Sequence, residues 1–314
     1  METIMSSTNI PDLDTFTRLP VNEVADLVRV YGPKTCVFPI NGTRRWFMFE
    51  HGYKLSKEEL TDAYVEIVSQ AHADLYKLIF DHGIDTLVAP SLGVDILLRG
   101  NEYMQNIGEE GLRRLASHPL FLQFYEDYDV RIHFYGEYIR HLQSTPYASV
   151  CTLFNEAVRQ TRNHHTRRLF LGVFAADATQ SIIEFSAKYY TEHGKIPDKK
   201  ELIEMYYGEY VNPADIFIGF DKFSVFDYPL LATGEEALYF TVSPSPYMTP
   251  QQLRNILYDY MYIRKVNEPD YSLLSTKDIH WFQDFYRENS NVTLGTGTIR
   301  AGIWIPACIT EQIK

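Results

Sequence analysis

Cysteine is scarce in this chain: Cys36, Cys151 and Cys308 are odd in number, far apart and free of any CxxC spacing. That excludes a disulfide framework and a thiolate metal site, and fits reduced thiols in a cytoplasmic protein. Basic residues are also short, with 29 Lys and Arg against 41 Asp and Glu and a net charge of −12, so broad electrostatic binding to DNA or RNA is not expected. No window approaches the roughly 18 unbroken apolar residues of a membrane span. The opening "METIMSSTNIPDLDTF" has no basic stretch followed by an apolar one, so a secretory signal is not expected either. Neither GxxxxGK[ST] nor GxGxxG occurs, which removes support for nucleoside triphosphates and dinucleotides as ligands.

What is present is an ordinary globular composition, 45% hydrophobic and 22% charged, with one surplus. Aromatics make up 14% of the 314 residues and 23 are tyrosine, recurring in "FYEDYD", "FYGEY", "MYYGEY" and "YDYMYIR". Two readings stand: amphipathic packing with hydroxyls at the surface, or a large apolar cavity lined by aromatic faces. Short β-branched or aromatic runs at 35–40, 85–91, 129–136, 168–175, 214–220 and 237–242 read as strands. Helical patterns lie between and after them at 56–82, 108–127, 177–193, 198–209, 249–264 and 275–287. In the first of these, Ser56 and Glu59 form a capping-box pattern and Gly83 closes the helix. The alternation predicts an α/β fold, a mostly parallel six-stranded sheet flanked by helices. No repeat or linker divides the chain, so residues 1–314 are expected to form one domain, with 1–30 as an N-terminal arm and 142–150 as a loop.

The stretch "INGTRRWF", residues 40–47, stands where the first strand ends. Ligands of parallel sheets sit beyond the carboxyl ends of the strands. Gly42 lets backbone approach a ligand closely, the following amides can point with Thr43 at one anion, and Arg44 and Arg45 add permanently charged forks suited to phosphate oxygens. From the residues alone this is either a phosphate cradle or a solvated turn.

"VFPINGTRRWF" resembles the "DGNRRW"-type loop of cis-prenyltransferases, and more closely the "VFPFDGTRRWF" counterpart in the tuberculosinol synthase/tuberculosinyl transferase group, which includes bacterial kolavelool synthases. "FDHGIDT", "FYGEY", "YYGEYVNPADIFIGF", "FSVFDYPLL", "LYFTVSPSPYMT" and "LRNILYDYMYIR" are similar to the same group in the same order, from about Leu19 to Trp304. The resemblance implies a cis-prenyltransferase fold, a homodimer and an allylic isoprenoid diphosphate substrate. It implies that Gly42, Thr43, Arg44 and Arg45 hold the diphosphate, that Arg99 corresponds to the arginine after the third family motif, and that Tyr64 and Tyr103 support the chemistry. Tyr64 also lies on the apolar face of its helix, where core packing is an equal reading. The implied cofactor is Mg²⁺, held mainly by the diphosphate. Asn41 stands where both groups carry aspartate, and an amide ligates Mg²⁺ poorly beside a carboxylate. Either arginines and a diphosphate-held metal ionise the substrate, or an aspartate has been exchanged so that substrate is trapped.

Elongating relatives hold a second diphosphate with an "RxxxExRxS"-type run, where this chain has "ADIFIGFDKFSVFDYPLL" with Lys222 as the nearby cation. Chain elongation is therefore not expected, since two diphosphates need several cations to coexist. The expected reaction is ionisation of a bicyclic diterpenyl diphosphate of kolavenyl type, with water quenching the cation to a tertiary alcohol such as kolavelool. Transfer of the diterpenyl group to a nucleoside such as adenosine, and a non-catalytic partner subunit, are the alternatives. DDxxD and DxDD are both missing, so a bicyclic substrate must come from an upstream class II diterpene cyclase. His164 and His165 lack a third ligand spaced for a metal, and Asp221 and Asp227 read as structural ahead of metal-linked.

Overall fold

A computed structural model describes residues 10–99, 104–265 and 268–307. Its centre is a six-stranded, all-parallel sheet in the order β3-β4-β2-β1-β5-β6. The strands are β1 (Thr35–Val37), β2 (Thr86–Leu92), β3 (Val130–Tyr135), β4 (Arg167–Val173), β5 (Ile216–Phe220) and β6 (Ala237–Thr241). A short antiparallel ribbon, β7 (Gly297–Arg300) with β8 (Ile303–Pro306), lies outside this sheet.

The strands read as continuous apolar runs because both faces are covered. Alternate side chains enter opposite cores: Cys36, Leu87, Leu169 and Ile216 on one face, Val37, Val88, Phe170 and Phe217 on the other. The first face is packed by α1 (Leu13–Arg18), α2 (Val21–Tyr31), α4 (Leu60–Asp81) and the helices Pro119–Asp127, Ser149–Thr161 and Pro250–Tyr258. Phe16, Val24 and Val28 are fully buried there, so α1 and α2 belong to the core. The second face carries helix Lys199–Tyr207, with Ile203, Tyr206 and Tyr207 buried.

All six expected strands form, β1 being shorter than its apolar run. The helix expected over 56–82 begins at Leu60: Glu59 accepts from the Ser56 backbone N–H at 3.0 Å, but Ser56 does not cap the first turn. Its end at Gly83 stands, with φ +87° and a Cβ there only 2.4 Å from the Ala25 carbonyl oxygen of α2. The pattern over 108–127 is two helices, Glu110–Ser117 and Pro119–Asp127, because Pro119 suits a first helical position and not a helix interior. The helix Ser149–Thr161 begins inside the stretch expected as a loop, and it buries Val150, Phe154, Ala157 and Thr161 at helical spacing.

Candidate functional site

β1 is hydrogen-bonded to β2 on one side and to β5 on the other. The chain leaves β1 toward β2 and leaves β5 toward β6, so the two exits diverge and open a crevice at the carboxyl ends of β1 and β5. The loop 38–42 and α3 (Thr43–Glu50) stand at this crevice. Gly42 holds it in shape: φ is +73°, and a Cβ would sit 2.7 Å from the Phe220 ring and 2.9 Å from Pro244. Asn41 is tied to the loop after β6, its N–H donating to Ser245 Oγ at 3.0 Å while its carbonyl accepts from Ser245 N–H at 3.0 Å. Ser245 is 1% exposed, so this clamp is dry.

No side chain caps α3, and its first-turn amides have no acceptor within their own helix. Together with the positive end of the helix dipole, they favour an anion beside Gly42. Arg44 is exposed on this first turn. Arg45 is half-buried; its Nη2 lies 3.1 Å from Asp221 Oδ2, and its guanidinium stands over the Phe220 ring at 5.1 Å. Asp221, with φ +70°, directly follows β5. It orients one arginine of the pair, a part that sequence reasoning assigned no further than a structural residue.

Behind the loop a cavity of about 120 Å³ runs between α4, the tip of β2 and the helix Glu110–Ser117. Thr43 stands where it meets the loop, and Ile40, Val65, Val68, Leu112 and Leu115 supply apolar walls. At the mouth the Thr43 and Tyr64 hydroxyls are 3.1 Å apart, and the Tyr64 ring meets Phe47 edge-on at 5.2 Å. The Tyr64 ring thus packs as the apolar face predicted, while its hydroxyl meets Thr43 beside the cavity. Arg114 pairs with Glu66 of α4 and with Glu110, fastening the cavity wall to α4.

Sequence reasoning missed the inner polar groups of this cavity, Ser69, His72 and Ser91. Ser91 follows Pro90, which has no N–H to give the ladder, and the register between β2 and β4 shifts there. Pro90 in the middle of an apolar run was the signal. Burial lowers the His72 imidazole to about 4, so it is neutral at physiological pH.

Thr43 and Tyr64 thus meet at the cavity, while Gly42 and Arg45 of the same loop and first turn are held against Phe220 and Asp221 beyond β5, with Asn41 and Arg44 flanking Gly42 and Thr43. Arg99 ends the short 3-10 helix Val94–Arg99; its side chain and the whole of Tyr103 lie outside the described residues. His164 is structural, with Nδ1 2.9 Å from the Val130 carbonyl oxygen. The donors at the crevice do not fit a protein-held Mg²⁺. Asn41 offers a neutral amide, Asp221 is engaged by Arg45, and among the described residues no three His, Cys, Asp or Glu side chains converge. No described helix is long and apolar enough to cross a membrane.

Comparison with known proteins agrees with this architecture. No family model matches the chain. It is 41% identical over 291 residues to tuberculosinyl adenosine transferase of Mycobacterium tuberculosis, covering 92% of this chain and 96% of that protein. It is 25% identical over 304 residues to (+)-kolavelool synthase of Herpetosiphon aurantiacus, covering 94% and 96%. Among solved structures, a probable undecaprenyl diphosphate synthase from Campylobacter jejuni superposes with a TM-score of 0.53 at 14% identity, covering 76% of this chain and 97% of that one. Lavandulyl diphosphate synthase from Lavandula x intermedia, in complex with dimethylallyl diphosphate, gives 0.51 at 14%, covering 79% and 98%. The six parallel strands, the loop at the β1–β5 crevice and these full-length likenesses have one conclusion: the chain belongs to the tuberculosinyl adenosine transferase and kolavelool synthase group and has the cis-prenyltransferase fold.

Proposed function

We propose that this chain ionises an allylic diterpenyl diphosphate and transfers the diterpenyl group to a nucleoside such as adenosine. The observation that carries the reading is the junction of an anion-favouring loop with an apolar cavity at one mouth, where Thr43 meets Tyr64. The full-length likeness to an adenosine transferase supports a nucleoside as acceptor, ahead of the water that the sequence alone put first.

The diphosphate lies against the first turn of α3, with Arg44 and Arg45 on its oxygens. As the allylic C–O bond breaks, negative charge collects there, and each donor removed costs about 3 kcal/mol, roughly a hundredfold in rate. Asp221 holds Arg45 in place, so the guanidinium need not reorganise as charge develops. The hydrocarbon occupies the cavity, and aromatic faces such as Tyr64 steady the cation at about 1–2 kcal/mol per desolvated contact. A nucleoside nitrogen lone pair then forms the new C–N bond, and diphosphate leaves. Mg²⁺ would be held by the diphosphate oxygens and neutralise part of their charge. A bicyclic substrate calls for an upstream class II cyclase. The exposed Trp281, Phe282, Phe285 and Tyr286 of helix Thr276–Glu288 favour a homodimer.

A second reading, water quench to a tertiary alcohol, has support from the kolavelool synthase likeness. Incubating the protein with tuberculosinyl, kolavenyl and geranylgeranyl diphosphates and Mg²⁺, with and without adenosine, followed by mass spectrometry, separates the two. A diterpenyl nucleoside formed only with adenosine is expected; alcohol as the sole product in both arms overturns transfer, and no diphosphate release overturns both.

A further inference from the structure

Beyond the Thr43–Tyr64 contact the walls of the cavity are apolar except around Ser69, His72 and Ser91, and that end is not finished for a pure hydrocarbon. Tyr64, Val68 and His72 lie on one face of α4 at spacings of four, so His72 stands about 12 Å along the helix from the mouth at the usual 1.5 Å rise per residue. Its ring meets Tyr76 edge-on at 6.0 Å, and it makes no hydrogen bond with any described residue. The two serine hydroxyls that also line the cavity are already committed as donors, Ser69 Oγ to the Val65 carbonyl at 2.6 Å and Ser91 Oγ to the Ala89 carbonyl at 2.9 Å. What Ser69 still offers is an oxygen lone pair, while Ser91 also meets the Tyr76 hydroxyl. His72, neutral through burial, offers one donor and one acceptor.

We infer that this inner end selects a diterpenyl skeleton carrying a hydroxyl remote from the diphosphate, with His72 as its hydrogen-bond partner. The inference rests on the diphosphate mouth proposed above and names the substrate class of that same site. A hydrocarbon ring pressed against His72 would leave its nitrogens without a hydrogen-bond partner. A hydroxyl there donates to one imidazole nitrogen or accepts from the other. Sites built to hydrogen-bond a substrate group reject analogues lacking it far better than apolar pockets reject an added methylene. Tyr76, buried and in ring contact with His72, limits how far the imidazole can turn away.

The test is calorimetric binding of two unreactive bicyclic diterpenyl thiolodiphosphates, alike except for a hydroxyl on the ring remote from sulfur. Wild type is expected to bind the hydroxylated analogue at least tenfold more tightly. His72→Leu should reduce that advantage below twofold without weakening the hydrocarbon analogue, and His72→Gln, which keeps a donor and an acceptor, should retain part of it. Equal affinities in wild type, or a preference for the hydrocarbon, overturn this inference and leave the proposed function standing. A wild-type preference unchanged in folded His72→Leu overturns the role of His72. Failure of both analogues to bind overturns the diphosphate mouth and this inference together.

Discussion

The two ends of the cavity are built in opposite ways. The mouth adjoins a contiguous run, Gly42 to Arg45, which meets it at Thr43 and is clamped from outside by Phe220, Asp221 and Ser245. The interior is assembled from α4, the break in β2 and the helix Glu110–Ser117, segments that meet only once the sheet has formed. Charge is thus concentrated in one short piece of chain and shape is spread over three. Substitutions at the mouth should therefore act mainly on chemistry, and those in the interior on which skeleton is accepted.

The sharpest way to break this contrast is Arg45→Ala, expected to slow diphosphate release about a hundredfold, or about 3 kcal/mol, in a coupled pyrophosphate assay. Asp221→Asn should give a smaller loss of the same kind, because it frees the guanidinium without removing it. An Arg45→Ala enzyme that only changes its choice of substrate would erase the division of labour. Gly42→Ala should destabilise the fold by about 2–3 kcal/mol in urea unfolding, since alanine resists φ +73° and its Cβ meets Phe220 and Pro244.

The interior makes a pH prediction. His72 titrates at about 4 in the folded protein against 6.5 in its absence, so the unfolded chain takes up the proton first as pH falls. The stabilisation is complete above about pH 7 and drains away between about 6.5 and 4, amounting to about 2 kcal/mol between pH 7.5 and 5. Denaturant midpoints of His72→Leu should lack that fraction of the wild-type slope. The smallest effect is Tyr64→Phe, which removes the contact with Thr43 and should lower turnover severalfold, about 1 kcal/mol, with little change in melting temperature.

The same contrast explains what the sequence disclosed. The six strands were legible because two-sided burial leaves each one a β-branched or aromatic run between turn residues. "NGTRR" was legible because glycine, hydroxyl and paired arginines are adjacent. Asp221 was not, because its meaning depends on Arg45 lying 176 positions earlier, a separation that no local pattern records. His72 and Ser69 were hidden for the same reason. On α4 they read as an amphipathic face, and only the neighbouring helix turns that face into a cavity wall. The helix Ser149–Thr161 was overlooked although Val150, Phe154, Ala157 and Thr161 keep helical spacing, because "STPYAS" before it carries turn signals that mask its start. The break at His118–Pro119 had a visible cause in the proline itself.

The pair of hydrogen bonds between Asn41 and Ser245 has one more consequence. Since the clamp is made by folding and buried before any substrate arrives, the cradle does not have to be ordered by its ligand, and little conformational entropy is lost when an anion docks. Association at this mouth should therefore resemble a key entering a finished lock, fast and limited by diffusion of the charged headgroup, with slow adjustment confined to the greasy tail behind it.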